Sequence, residues 1–444
     1  MFEKGIHKHI SDSQSGVKKH ALLLTVRFEG ENGGAFQIPA CGHGGIGEYF
    51  PFDWIVDWGD GASERIKGVS SPNGGEVATG NLIHSYAASG EYSVAISPAG
   101  LVSETTGNTP GWLQAFGHPE GYYPVGGFDK IVCVDGVLDD CAINIELEGA
   151  CAYMFSHCNN ITMGPHFTFS SNKKTAGDYF CFEMFSCCSG DAFTMGEAFQ
   201  LPQNLREVGN AFCCKMFLLC TGSSFTMNGE FTIPPGIYVA GRSFCQEMFG
   251  EHGPALTMGK CFNLPQGISE ADDNFCAAMF SNVGGEKPTF SMNDIFNLPP
   301  SITGNVGKSF CERMFAFNDG DDFRMNNRFN LPHGITSAGD AFCKSMFLRC
   351  SGSSFSMNDV FTMPPHLQDA GSECCMLMFS ECNGHGFYVG EGFDFPYTLN
   401  GRGYLLFEMF GQCRIDSLNW AVRDMDERNP SLHIWSPPYD QIQW

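Results

Sequence analysis

The chain has 444 residues, too many for one ordinary hydrophobic core unless a repeat is present. Its net charge of −24 at pH 7 argues against nucleic acid and anionic membrane as partners, since both repel a polyanion. Hydrophobic residues at 43% suffice for a packed interior, while 54 glycines and 23 prolines point to many turns rather than long helices.

Residues 1–20 form a basic arm carrying Lys4, Lys8, Lys18 and Lys19. The arm has no apolar h-region, so no signal peptide is visible, and the longest early apolar run, 21–26, is far short of a membrane span. The expectation is a chain that starts cytosolic, leaves by a non-standard route, travels within a particle such as a virion, or lacks its leader.

Residues 21–100 alternate short apolar runs with Gly-rich turns, the pattern of a β-sandwich. Two stretches stand out: Trp54-Ile-Val-Asp-Trp-Gly-Asp-Gly61, and His84-Ser-Tyr-Ala-Ala-Ser-Gly-Glu-Tyr-Ser-Val-Ala-Ile96. Together they resemble the PKD domain, an immunoglobulin-like sandwich found mainly on extracellular surfaces. Gly42-His-Gly-Gly-Ile-Gly47 matches G-x-G-x-x-G, but Glu48-Tyr-Phe-Pro51 follows in place of a helix, so a phosphate cradle lacks its context. Residues 101–145 read as a connector and N-terminal cap.

From 146 to 413 the chain repeats. Met-Phe pairs begin at Met154, Met184, Met216, Met248, Met279, Met314, Met346, Met378 and Met409, in steps of 30–35 residues. Each unit has two parts. In Phe342-Cys343-x-x-Met346-Phe347-x-x-Cys350, apolar residues at i, i+1, i+4, i+5 and i+8 predict one stripe on a short helix. In Phe355-x-Met357 and Phe361-x-Met363-Pro364, apolar residues two apart predict short strands. The expected architecture is therefore an N-terminal all-β immunoglobulin-like sandwich followed by an α/β, leucine-rich-repeat-like solenoid of about nine 32-residue repeats. Residues 414–444 read as a C-terminal cap or docking tail.

The repeat half resembles the BspA-like leucine-rich-repeat surface proteins, through Leu201-Pro202 with Leu205, Leu264-Pro265 with Ile268, and Leu331-Pro332 with Ile335. Its period is longer than that family's usual unit. The resemblance implies adhesion or recognition by a non-catalytic surface, and fold alone does not establish function.

Cysteines fall in columns. Cys151, Cys181, Cys213, Cys245, Cys276, Cys311, Cys343 and Cys375 precede the Met by three; Cys158, Cys188, Cys220, Cys350, Cys382 and Cys413 follow it by four. There is no C-x-x-C, so zinc and thioredoxin-type readings lose their support, and buried free thiols are expected, with cross-repeat disulfides as the alternative. Asn228, Asn293, Asn326 and Asn358 after the strand Met read as a buried or turn-capping ladder, with a ligand role as the alternative.

No G-x-S-x-G, H-E-x-x-H or Walker loop occurs, so no catalytic residue and no enzyme activity is expected. Calcium is the one cofactor considered, at Asp319, Asp321 and Asp322 or near Asp57 and Asp60, where hard oxygen ligands gather on turns. The outward strand column Thr194, Thr226, Thr257, Ser291, Arg324, Ser356 and Tyr388 is the candidate binding face. A second column runs through Gln200, Thr232, Asn263, Asn297, Asn330, Thr362 and Asp394; for both columns the alternatives are cross-strand hydrogen bonding and a polar sheet face for a glycan or protein. The expected function is non-enzymatic recognition of a protein or glycan on a cell or particle surface, without membrane insertion. The alternative is a structural component of a virion or other assembly, anchored through a terminus, as a homo-oligomer or part of a larger array.

Overall fold

The computed structural model describes residues 21–38, 50–70, 76–99, 129–138, 145–146, 148–170, 172–223, 225–253, 255–282, 289–321, 323–396, 400–401, 404–428 and 433–436. The arm at 1–20 and the glycine motif at 42–47 lie outside them. The chain is mostly β, with almost no helix: among the described residues α1 (Trp420–Arg428) follows a 3-10 turn, Ile415–Ser417. Among the described residues no helix is long and apolar enough to cross a membrane.

Among the described residues eight strands precede the repeats: β1 (Leu22–Phe28), β2 (Ala35–Gln37), β3 (Phe50–Asp57), β4 (Ser63–Ser70), β5 (Glu76–Thr79), β6 (Ile83–Ser85), β7 (Gly90–Pro98) and β8 (Ile131–Gly136). Six form one antiparallel sheet in the order β5-β4-β3-β7-β1-β8, and β2 pairs with β6. The period of two is obeyed: Leu22, Leu24, Val26 and Phe28 are buried while the residues between them are not. The two quoted motifs meet. Gly59 and Gly61, both at positive φ, shape the turn between β3 and β4. There Asp57 accepts the Gly59 N–H and Asp60 the Ala62 N–H, each at 3.0 Å. Asp60 also contacts His84 Nε2 at 2.7 Å, His84 stacks on buried Trp58, and the Tyr86 hydroxyl donates to the Trp58 carbonyl at 2.9 Å.

β8 comes from the segment read as a connector, and it joins the two halves. It pairs antiparallel with β1, and it meets the first coil in parallel: Val134 N donates to Thr162 O, and Gly164 N to Val134 O. One hydrophobic core therefore runs from Leu22 to Ile434. β8 thereby covers the 162–168 part of the first coil's backbone edge, which removes that part as a template for end-to-end growth.

The repeats form a β-solenoid of about six turns at ~32-residue spacing, judged by its parallel ladders. This corrects the expected α/β character of the array. All nine Met-Phe rows still share one stack: Phe155 N donates to Met184 O, Phe185 N to Met216 O, and so on to Phe379 N and Met409 O.

The predicted helix is the main correction. The Phe-Cys-x-x-Met-Phe segment is a chain of tight turns. Cys213, Lys215, Phe217 and Leu219 give their amides to Phe244, Gln246, Met248 and Gly250 in the next row; Cys214, Met216 and Leu218 give theirs three residues back. Every fourth residue is left-handed: Ala211, Lys215 and Leu219 have φ of 52°, 57° and 58°. The apolar period is thus four. An α-helix drifts by only about 80° over the eight residues of the motif, so both readings fit the stripe. Among the described residues, no Val, Ile, Thr or Pro occupies a left-handed position, where a branched Cβ is worst tolerated.

This geometry is testable. Lys215→Val should cost about 1–2 kcal/mol through left-handed strain, whereas Lys215→Gly should be neutral or stabilising. In a helix the glycine variant would instead lose about 1 kcal/mol. Denaturant titration of both variants decides, because both lose the same weak contact of Lys215 with Glu247 at 3.9 Å.

The strands also fall elsewhere than predicted. Hydrogen-bonded ladders occur after the prolines, at Glu207–Val208, Thr303–Val306, Gly334–Ala338 and Asp369–Ala370. Among the Phe-x-Met segments, Ala255–Thr257 and Thr289–Ser291 form a parallel pair. The asparagines explain part of this. In each of Asn228, Asn293, Asn326 and Asn358, Nδ2 donates to two carbonyls of the preceding row at 2.5–3.1 Å, while Oδ1 accepts the amides two and three residues ahead. These are the turn-capping asparagines read from the sequence, and they take amides that a ladder would otherwise use.

Phenylalanine fills the interior in stacked columns. The rings of the Met-Phe rows, Phe155 to Phe410, lie 5.0–5.7 Å apart and within 18° of parallel. A second column, including Phe296, Phe329 and Phe361, meets the first edge-on at 85–90°. Each positive ring edge thus faces a negative ring face.

Candidate functional site

Every described cysteine is a free thiol, and both columns are buried. The thiols of Cys188, Cys220, Cys350, Cys382 and Cys413 donate to Phe carbonyls of the row before at 3.0–3.3 Å. Burial pushes these thiols up, so they stay protonated and unreactive. The column breaks in mid-array, where His252 and Asn318 stand buried in its register and buried Asn282 lies one residue before it. Asn318 Nδ2 replaces the thiol as donor to Phe280 O at 2.8 Å. His252 Nδ1 lies 2.9 Å from Gly253 O, while Nε2 and the Asn318 Oδ1 make no hydrogen bond.

The acids proposed for calcium occupy turns. Asp321 is exposed and accepts the Ser353 N–H at 2.8 Å, as Asp191 accepts that of Ser223 and Asn159 that of Ser189. Asp319 is half-buried, and Asp322 lies outside the described residues. Among the described residues no three His, Cys, Asp or Glu side chains gather for a metal.

The second polar column is taken up by coil-to-coil bonds. Asn263 Oδ1 accepts Asn297 N, Asn297 Oδ1 accepts Asn330 N, and Asn330 Oδ1 accepts Thr362 N, each at 3.0 Å. Thr362 Oγ1 then donates to Asp394 O at 3.2 Å.

The first column does face outward. Thr226, Thr257, Arg324 and Tyr388 are exposed; Thr194, Ser291 and Ser356 are half-buried. Successive rows are tied by Met195 N to Thr226 O, Met258 N to Ser291 O, and Met357 N to Tyr388 O. Most of these hydroxyls remain at the surface, although Ser356 Oγ donates to Tyr388 O at 3.0 Å.

At its C-terminal end this column opens into a groove of about 570 Å³, bordered by Tyr388 and Trp420 and lined further by Glu391, Asp416, Asn419 and Arg423. Tyr388 is 41% and Trp420 71% exposed. Buried Asn419 positions this end. Its Nδ2 bonds Gly390 O and Phe393 O at 2.9 Å, continuing the asparagine ladder, and its Oδ1 accepts Val422 N, which caps α1. Trp420 is thereby fixed as the first residue of α1. Val389 N donates to Ser417 O at 2.8 Å, drawing Tyr388 alongside the 3-10 turn. Arg414 grips Asp416 through two contacts of 3.3 Å and holds its carboxyl below the usual carboxylate range.

Sequence reasoning found Tyr388 but missed its partners. Asn419-Trp420 repeats no Met-Asn spacing, and the one available signal was an Asn in the ladder's register beside a tryptophan. Set against known proteins, the chain matches no family model, no curated protein and no solved structure.

Proposed function

We propose that this chain is a non-enzymatic recognition protein of a cell or particle surface, which presents its solenoid to a glycan or a protein. The observation that carries the reading is the outward column from Thr194 to Tyr388, a mostly polar face on a stack of rows, ending in an aromatic groove. The interior is filled by Phe, Met and Cys, and turn carboxylates such as Asp191, Asp321 and Asp340 hold backbone amides of the next row. That arrangement favours binding over chemistry. The cluster of Trp58, Asp60, His84 and Tyr86 supports reading residues 21–100 as a PKD-like spacer, and the partly covered coil edge favours side-on engagement over axial assembly.

The test is a glycan array together with binding to intact cells, run on the wild type and on a Thr226→Arg, Thr257→Arg double variant. The variant should lose tenfold or more in binding at unchanged melting temperature, because both positions are exposed. Absence of any glycan or cell hit for the wild type, or equal binding by the variant, overturns the reading. A structural role in a larger particle is the second reading, favoured by the basic arm at 1–20 on so acidic a chain. Under it, deleting the arm abolishes incorporation, whereas under the recognition reading the deletion leaves ligand binding intact.

A further inference from the structure

We infer that the groove between Tyr388 and Trp420 binds the rings of a neutral oligosaccharide; this rests on the recognition reading above and names its ligand class. Trp420 is the most exposed large hydrophobic residue described, and Tyr388 borders the same opening. An indole left in water forfeits the burial that almost every other aromatic ring of the array obtains, unless a ligand covers it. A pyranose has the matching character: a flat face of C–H groups for stacking, and a rim of hydroxyls that need donors and acceptors. The rim partners are present in the Glu391 and Asp416 carboxylates and the Arg423 guanidinium.

Charge selects among polar ligands. The whole chain at −24 would draw cations, but the groove does not share that bias. Glu391 and Asp416 are balanced by Arg423 and by Arg414, which lies 3.3 Å from Asp416. With these charges close to balance once Arg414 outside the lining is included, neither a cationic peptide nor a sulfated chain is favoured, and an uncharged ligand is. A volume of about 570 Å³ falls within the usual range of small-ligand sites. The outward column, from Ser356 back to Arg324, leads away from Tyr388 and offers further hydroxyl and guanidinium contacts to a chain longer than the groove. The platform is held in place, since Asn419 is bonded to both the preceding row and α1.

The test titrates the full chain with cellohexaose, chitohexaose, maltohexaose, xylohexaose and mannohexaose, read by calorimetry and tryptophan fluorescence. Hexalysine and a heparin hexasaccharide form the charged arms. At least one neutral hexaose should bind and change the fluorescence. Trp420→Ala and Tyr388→Ala should each weaken it by about tenfold or more, and Trp420→Phe should retain part of the affinity. Melting temperatures should not move in Trp420→Ala, whose side chain is exposed. The inference is overturned if no neutral hexaose binds, if only a charged probe binds, or if the Trp420→Ala, Tyr388→Ala double variant binds like wild type. In that last case glycan recognition survives at another place on the chain. If no sugar binds while intact cells still do, the recognition reading survives with a protein ligand.

Discussion

Phe315→Ala is expected to cost about 3–5 kcal/mol and to divide the array's unfolding into two transitions. Phe315 is fully buried at mid-array. It stacks on Phe280 at 5.7 Å and on Phe347 at 5.3 Å, and it meets Phe296 and Phe329 edge-on at 6.3 and 5.5 Å. Truncation removes all of these contacts, and neighbouring rows cannot close the gap because their amides are locked row to row. In a stack whose rows touch only their neighbours, weakening one interface uncouples the two sides. Scanning calorimetry should resolve a second endotherm, and hydrogen exchange should quicken in the rows of Phe280, Phe315 and Phe347. The control lies two residues away: Phe317 is half-buried at a left-handed position, so Phe317→Ala should cost about 1 kcal/mol. Equal losses in the two variants would refute the stacked-column account.

The second large effect is on pH dependence. Burial lowers the His252 pKa to about 4; the hydrogen bond to Gly253 O offsets it only in part, and no charged group contributes. In the unfolded chain the same ring titrates near 6.5. Between those values the unfolded state binds a proton that the folded state refuses. Stability is therefore highest above pH 6.5 and falls as the pH drops toward 4, by about 3 kcal/mol in all from this one group. His252 stands where other rows carry Cys220 or Cys350, so His252→Cys restores the regular column. Carboxylates elsewhere also titrate in acid, so the informative quantity is the difference between wild type and variant. That difference should grow in the variant's favour from pH 6.5 to 4 and be flat above. Parallel pH curves would show that the imidazole is not buried in this way.

The period of about 32 residues, the inward Phe, Met and Cys, the free thiols and the capping asparagines were all legible in the sequence, because each follows from spacing and side-chain chemistry alone. The outward column was legible too, since a period of two separates the faces of an extended segment. The backbone of the Met-Phe segment was not. Five apolar positions at i, i+1, i+4, i+5 and i+8 suit a helix and a run of four-residue turns equally, and the choice lies in where alternate amides find acceptors. Half of those acceptors belong to the next row, 31 or so residues away. Long-range pairing likewise decided the role of β8 and of Asn419, neither of which carries a local mark of its partner. Local pattern thus determined which side chains go inward, and only the stacked rows decided the backbone conformation that puts them there, because an isolated row leaves half its amides without acceptors.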